Sequence, residues 1–154
     1  MKPNAYTQFN THLVFAVAKR ENVILPFFEN RLYEYLGGLL KSKKHYPLAI
    51  NGYFDHVHLF FEMHPNQGMA DLVRHLKASS SKWINDNRFL PGVFKWQEGY
   101  GRFSYSRSQR KDVINYIERQ KVHHKRMTFM QEYIDMLDKF EIDFKKEYLF
   151  EFFE

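Results

Sequence analysis

The sequence predicts an α+β fold: an antiparallel sheet in the order β-α-β-β-α-β, with its helices on one face and further helices after it. Short β-branched and aromatic runs alternate with stretches whose apolar residues recur at helical spacing. Proline and glycine mark most of the boundaries between them. At 154 residues and 44% hydrophobic content, the chain can bury one sizeable core. The reading is a single domain over residues 1–154, in which residues 129–154 form a C-terminal helical and aromatic extension.

The elements follow in order. Residues 11–18, rich in Val, Phe and Ala, read as a buried strand. Pro26 opens a helix whose stripe is Phe28, Leu32, Leu36 and Leu39/Leu40, and Gly37-Gly38 within it suggests a close contact with the sheet. After the basic connection Lys41–His45, residues 48–54 and 56–63 read as two strands around a turn near Asp55. Pro65 and Gly68 precede a second helix over 69–86, with Met69, Leu72, Val73, Leu76 and Trp83 on its apolar side. Residues 93–105 carry strand-like aromatic patches. This order is that of ferredoxin-like and RRM-like sheets, and it predicts an open second face for a ligand.

Two helices complete the chain. One spans about 108–122 and packs through Val113, Ile114 and Ile117. Thr128 and Gln131 have capping-box spacing and place the last helix at about 129–140. The closing Phe144, Tyr148, Leu149, Phe150, Phe152 and Phe153 are too apolar for a free tail, and are expected to pack on the body or on a second subunit.

Charge and composition narrow the function classes. Residues 1–130 carry 20 Lys and Arg against 10 Asp and Glu, whereas residues 131–154 carry 3 against 8. A basic body is the electrostatic footprint of a nucleic-acid binder, although many soluble domains are mildly basic. With no cysteine, disulfide frameworks and thiolate metal sites are excluded. No stretch approaches the ~20 apolar residues of a membrane span, so a soluble cytoplasmic protein is expected. P-loop, zinc-finger and Gly-x-Ser-x-Gly motifs are absent.

The chemistry concentrates in His56-Val57-His58. Alternate strand residues share a face, so both imidazoles point one way while Val57 points into a core. Such a pair is either two polar groups on an exposed face or two ligands of a divalent metal. Asp55 could orient one ring from behind. Tyr116 and Gln120 are four apart and stack on one helix face, where the tyrosine could be a core-edge residue or a phenolate nucleophile. Gln120 on a packing face needs a partner, and its amide oxygen could complete a site with open positions, which suits Mg²⁺ or Mn²⁺. His123 and His124, adjacent on a helix, point about 100° apart and chelate poorly. With Lys125 they read as phosphate contacts or helix C-terminal cations. Arg102, Arg107, Arg110 and Lys111 could hold DNA backbone, or form a solvated basic loop.

Together these segments resemble the IS200/IS605-type single-tyrosine transposases, members of the His-hydrophobic-His endonuclease superfamily, and their repeat-associated relatives. The likeness is carried by His12-Leu13-Val14-Phe15, by Asp55-His56-Val57-His58-Leu59 and by Leu76-Lys77 with Ser79–Ile84. Trp96-Gln97-Glu98-Gly99-Tyr100 and Tyr116-Ile117-Glu118-Arg119-Gln120 continue it, and the trailing His123-His124-Lys125 and the Phe129…Glu132-Tyr133…Leu137 helix are similar to one branch of the family. The resemblance implies His56, His58 and Gln120 as metal ligands and Tyr116 as the nucleophile of a 5′-phosphotyrosine link. It also implies single-stranded DNA with hairpins as substrate, and a homodimer in which the tyrosine helix can complete the partner's site. Lys77 is among the residues expected to touch DNA. Two other functions fit the same sequence: a domesticated nickase acting on host repeats, and a silent single-strand-binding module.

Overall fold

The computed structural model describes residues 7–18, 23–145 and 149–150. Four strands, β1 (Asn10–Ala16), β2 (Tyr46–Tyr53), β3 (His56–Glu62) and β4 (Gly101–Tyr105), form one antiparallel sheet in the order β2-β3-β1-β4. Helix α1 (Pro26–Ser42) joins β1 to β2, and α2 (Met69–Asp86) joins β3 to β4. This is the predicted β-α-β-β-α-β arrangement. Among the described residues no helix is long and apolar enough to cross a membrane.

The period-2 pattern of the central strands divides the molecule into two layers. Leu13, Phe15, Val57, Leu59 and Phe61 face α1 and α2, and meet Phe28, Leu32, Leu36, Leu72 and Leu76 in the main core. Each such fully buried side chain contributes ~1.5–3 kcal/mol. Pro26 begins α1 where its missing N–H costs nothing. A Cβ at Gly37 would meet Ile50 of β2 at an ordinary 3.5 Å and one at Gly38 would meet nothing within 4 Å, so the expected close approach to the sheet does not require either glycine.

The opposite sheet face departs from expectation. It is not open but covered by α3 (Arg110–Glu118), α4 (Gln120–His123) and α5 (Phe129–Lys139). Its strands bear Val14, Ala16 and Phe60, which bury against Phe103, Val113, Ile117, Phe129 and Tyr133. These apolar residues made the second face a packing surface rather than a ligand platform. Thr128 caps α5 by accepting from the Gln131 backbone amide at 3.2 Å, but the Gln131 side chain donates to Asp135 at 2.7 Å, so only half of the predicted capping box forms. Phe150 packs on this layer, beside Phe129 and Tyr133. Phe144 stays exposed, while Tyr148, Phe152 and Phe153 lie outside the described residues.

Two further differences concern boundaries. The predicted helix over 108–122 is a 3-10 turn (Arg107–Gln109) followed by α3, a break at Arg119, and α4. Asn51 of β2 causes the break by donating to the carbonyls of Ile117 and Glu118, at 3.0 and 3.2 Å, where the next helical turn would have bonded. Residues 93–100 form no strand, although Trp96 makes a single antiparallel bridge to Val17, and 101–105 pair as β4. Gly99, with a positive φ of 86°, turns the chain just before β4 begins at Gly101.

Candidate active site

The covered sheet face holds the chemistry. On β3, His56 and His58 project together beneath α3, α4 and α5, both fully buried. Unpaired rings would be costly here, and each is paired. The Nδ1–H of His56 donates to Asp55 Oδ1 at 2.7 Å, so Asp55 holds this ring from behind as its position suggested. Nδ1 of His58 meets Nε2 of His12 at 2.7 Å. Phe129 lies flat on the His56 ring, with centroids 3.8 Å apart and planes 2° from parallel.

Gln120, wholly buried, sets its Oε1 3.1 Å from His56 Nε2. Tyr116 stands edge-on to His58, its ring centroid 6.1 Å away. The structure thus brings His56, His58, Gln120, Tyr116 and Asp55 together within one chain. Lys121 secures the arrangement by donating to the Gly52 carbonyl at 2.6 Å and pairing with Glu29 at 3.1 Å. Gly52 is required there: a Cβ would meet the His56 carbonyl oxygen at 2.3 Å.

One residue that sequence reasoning missed occupies the centre. Glu132 of α5 is buried, and its Oε1 lies 3.3 Å from His56 Nε2 and 3.2 Å from His58 Nε2. Its Oε2 accepts from Gln120 Nε2 at 2.7 Å and from the Tyr116 hydroxyl. The available signal was a carboxylate three residues after Phe129 and four before Met136, inside the apolar stripe of an amphipathic helix. His56, His58 and Glu132 offer donor atoms mutually close enough to share a metal ion. Two imidazoles and a buried carboxylate suit a divalent cation, and Gln120 adds a neutral oxygen beside them.

The electrostatics follow from this crowding. Burial alone would raise the Glu132 carboxyl, but His58, His124 and His56 overcome it and hold it far below the usual carboxylate range. Burial would lower His56, yet Asp55 and Glu132 raise it to about 9. His58 is lowered by burial, against the pull of Glu132. The Tyr116 phenol is pushed well above its ordinary value by burial and by the Glu132 charge. At rest the tyrosine is therefore protonated. Beside it a cleft of about 330 Å³ opens between α3 and α5, lined by Tyr105, Asp112, Tyr116, His123, Glu132 and Met136.

The remaining expected DNA contacts divide. His124 turns into the site, with its side chain 2% exposed and its Nε2 3.0 Å from Glu132 Oε1. His123 stacks on Tyr116 with centroids 4.7 Å apart. Arg110 pairs with Glu62 at 3.0 Å and donates to Asn10 at 2.6 Å. Lys77 donates to the carbonyls of Gln97 and Gly99 at 2.7 Å each, and burial lowers it to about 8. Arg102 is opposite Leu13, whose side chain faces α1 and α2, so it lies across the sheet from the histidines. Arg107, Lys111 and Lys125 are exposed.

Comparison with known proteins adds the following. The IS200-like transposase family matches residues 5–120, well over half of the chain, and the match stops at Gln120. Two solved structures share the fold. One, a proposed transposase from Deinococcus radiodurans R1, has a TM-score of 0.62 and 22% identity, over 78% of this chain and 96% of that one. The other, a REP-associated tyrosine transposase bound to a REP hairpin, has a TM-score of 0.59 and 12% identity, over 80% of this chain and 73% of that one. No curated protein matches the chain.

Proposed function

The chain belongs to the IS200-like transposase family, and from that premise we propose that it cuts and rejoins single-stranded DNA through a covalent link to Tyr116. The observation that carries this reading is the convergence of Tyr116, Gln120 and Glu132 on the paired histidines His56 and His58. A hydroxyl directed into a polar buried cluster beside an open cleft has the makings of a nucleophile.

The step balances as follows. The Tyr116 oxygen attacks the phosphorus of a backbone phosphodiester, the bond from phosphorus to the 3′ oxygen breaks, and a 5′-phosphotyrosine and a free 3′ hydroxyl result. The phenolic proton leaves along its hydrogen bond to Glu132 Oε2 and is released to solvent through the adjoining cleft, because the histidines keep Glu132 ionised. The departing 3′ oxygen takes a proton from water. Because the ester retains the energy of the broken bond, a 3′ hydroxyl can reverse the step and join strands without a nucleotide cofactor.

His56, His58, Glu132 and Gln120 would hold the divalent ion, Mg²⁺ or Mn²⁺ in the expectation from sequence. When bound, such an ion polarises the phosphate and stabilises charge on the leaving oxygen. Asp55 fixes the His56 ring so that Nε2 faces the cluster. Phe129 and the α5 layer keep the histidines dry, which strengthens every charge interaction among them. The hairpin of the REP-bound relative suggests hairpin-bearing DNA as the substrate here. Exposed Arg107, Lys111 and Lys125 could serve its backbone, and a homodimer remains part of the proposal.

The test is a cleavage assay on labelled single-stranded DNA from the element's own flanks, with and without divalent metal. Metal-dependent cleavage that Tyr116→Phe abolishes, with DNA binding retained, supports the reading. Cleavage by the phenylalanine variant at the wild-type rate would overturn it.

A further inference from the structure

Three imidazoles, rather than two, converge on Glu132. His56, His58 and His124 place their Nε2 atoms 3.3, 3.2 and 3.0 Å from one oxygen, Glu132 Oε1. In each ring Nδ1 is engaged on the far side: by Asp55 Oδ1 at 2.7 Å, by His12 Nε2 at 2.7 Å and by the Met127 carbonyl at 3.0 Å. Imidazoles tied at one nitrogen and directed at a common point with the other have the arrangement of metal-bound histidines.

His124 makes the case sharpest. A carbonyl partner requires its Nδ1 to carry the hydrogen. The neutral ring then turns a lone pair toward two acceptor oxygens, Glu132 Oε1 at 3.0 Å and Gln120 Oε1 at 3.1 Å. A lone pair facing two acceptors is unfavourable: the position takes either a proton, donated to Glu132, or a cation in its place, which satisfies all three groups. The ring is also held in place, stacked on Tyr53 at 5.0 Å and edge-on to His56 at 4.7 Å. It can face inward because α4 ends at His123, leaving His124 as the cap outside helical geometry. The family match ends before this residue.

We propose that His124 is the third histidine of this metal centre and gives it a preference for imidazole-favouring transition ions, Co²⁺ or Zn²⁺, over Mg²⁺. The proposal rests on the metal-centre reading above. Each added imidazole in place of water or a carbonyl raises affinity for the later first-row ions and does little for Mg²⁺.

The experiment is a calorimetric titration of the full chain with Co²⁺ and, separately, Mg²⁺, comparing wild type, His124→Ala and His56→Ala. Wild type is expected to bind Co²⁺ at least about 100-fold more tightly than Mg²⁺. His124→Ala should lose about 10- to 100-fold in Co²⁺ affinity, with Mg²⁺ affinity changed by less than about threefold. A second measurement needs no variant: imidazole nitrogen NMR of wild type with one equivalent of Zn²⁺, where three histidine Nε2 signals should shift together. Unchanged Co²⁺ affinity in His124→Ala, or only two shifted signals, would overturn the third-histidine assignment. If His56→Ala still lowers affinity in that case, the metal-centre reading survives alone. Absence of Co²⁺ binding in wild type would overturn both.

Discussion

Tyr116 donates its hydroxyl to Glu132, a residue of α5 outside residues 5–120, over which the family model matches. The same carboxylate faces the histidines through its other oxygen. The proposed nucleophile and the proposed metal-binding groups are thereby joined by one side chain, whose charge acts on both. Glu132→Gln keeps the shape and removes the charge. The Tyr116 phenol should then titrate at lower pH, as followed by ultraviolet absorbance, because part of its upward shift comes from that charge. Metal affinity should fall by about 10- to 100-fold. An unmoved tyrosine titration would mean that burial alone sets it.

The pH dependence of stability follows from His56. Its value in the folded chain, about 9, lies above the ordinary ~6.5 of an unfolded histidine. The protonated ring therefore contributes stability that is fully present below ~6.5 and lost as pH rises through about 9. Without added metal, the midpoint of thermal unfolding should decline across that window. His56→Gln should flatten the decline. Glu132 has the opposite sign: its depressed value contributes stability above the ordinary carboxylate range, lost only as pH falls well below it. A metal-free chain whose melting temperature is constant from pH 6.5 to 9 would contradict the His56–Glu132 pairing.

Metal binding should share this window. An ion requires His56 in its neutral form, so binding displaces a proton and apparent affinity should climb with pH up to about 9. Calorimetry in buffers of different ionisation enthalpy would count the proton released. No proton release at pH 7 would place the ion elsewhere.

Asp55→Asn tests the support behind His56. The substitution retains size but weakens the 2.7 Å hydrogen bond to Nδ1. Loss of such a partner typically costs 10- to 100-fold in metal affinity, by roughly 1.4 kcal/mol per decade. The same variant should lower the His56 titration midpoint, measurable by NMR. Unchanged affinity together with an unchanged midpoint would remove Asp55 from the account.

Gly101 controls the site from the edge of the sheet. A Cβ at this position would meet the Tyr133 ring and hydroxyl at 2.7 Å. Tyr133 adjoins Glu132, so Gly101→Ala should push α5 outward. The expected cost is ~1–3 kcal/mol in stability, with faster amide exchange concentrated in residues 129–139. Unaltered exchange there would show that the tyrosine yields without moving the helix.

Much of this was legible in the sequence. Period-2 strands, helical stripes and the Thr128 cap fixed the order of elements, because each signal is local. The His56/His58 pair and the Tyr116/Gln120 spacing were equally local, and the structure joins them. What escaped was set by tertiary packing. Asn51 breaks the predicted helix from 66 positions away, by bonding to Ile117. Glu132 and His124 enter the site from elements whose docking no local pattern announces. Arg110 counted as a free cation until Glu62 and Asn10 were placed beside it.

The most direct test of the central claim is the identity of the residue that carries DNA. Full-length protein is incubated with single-stranded DNA from the element's flanks and divalent metal, denatured and digested, and the peptide bearing a nucleotide is sequenced by mass spectrometry. The account predicts a phosphodiester on Tyr116, with the DNA attached through its 5′ end. An adduct on another tyrosine, or cleavage products with free ends and no adduct, would contradict it.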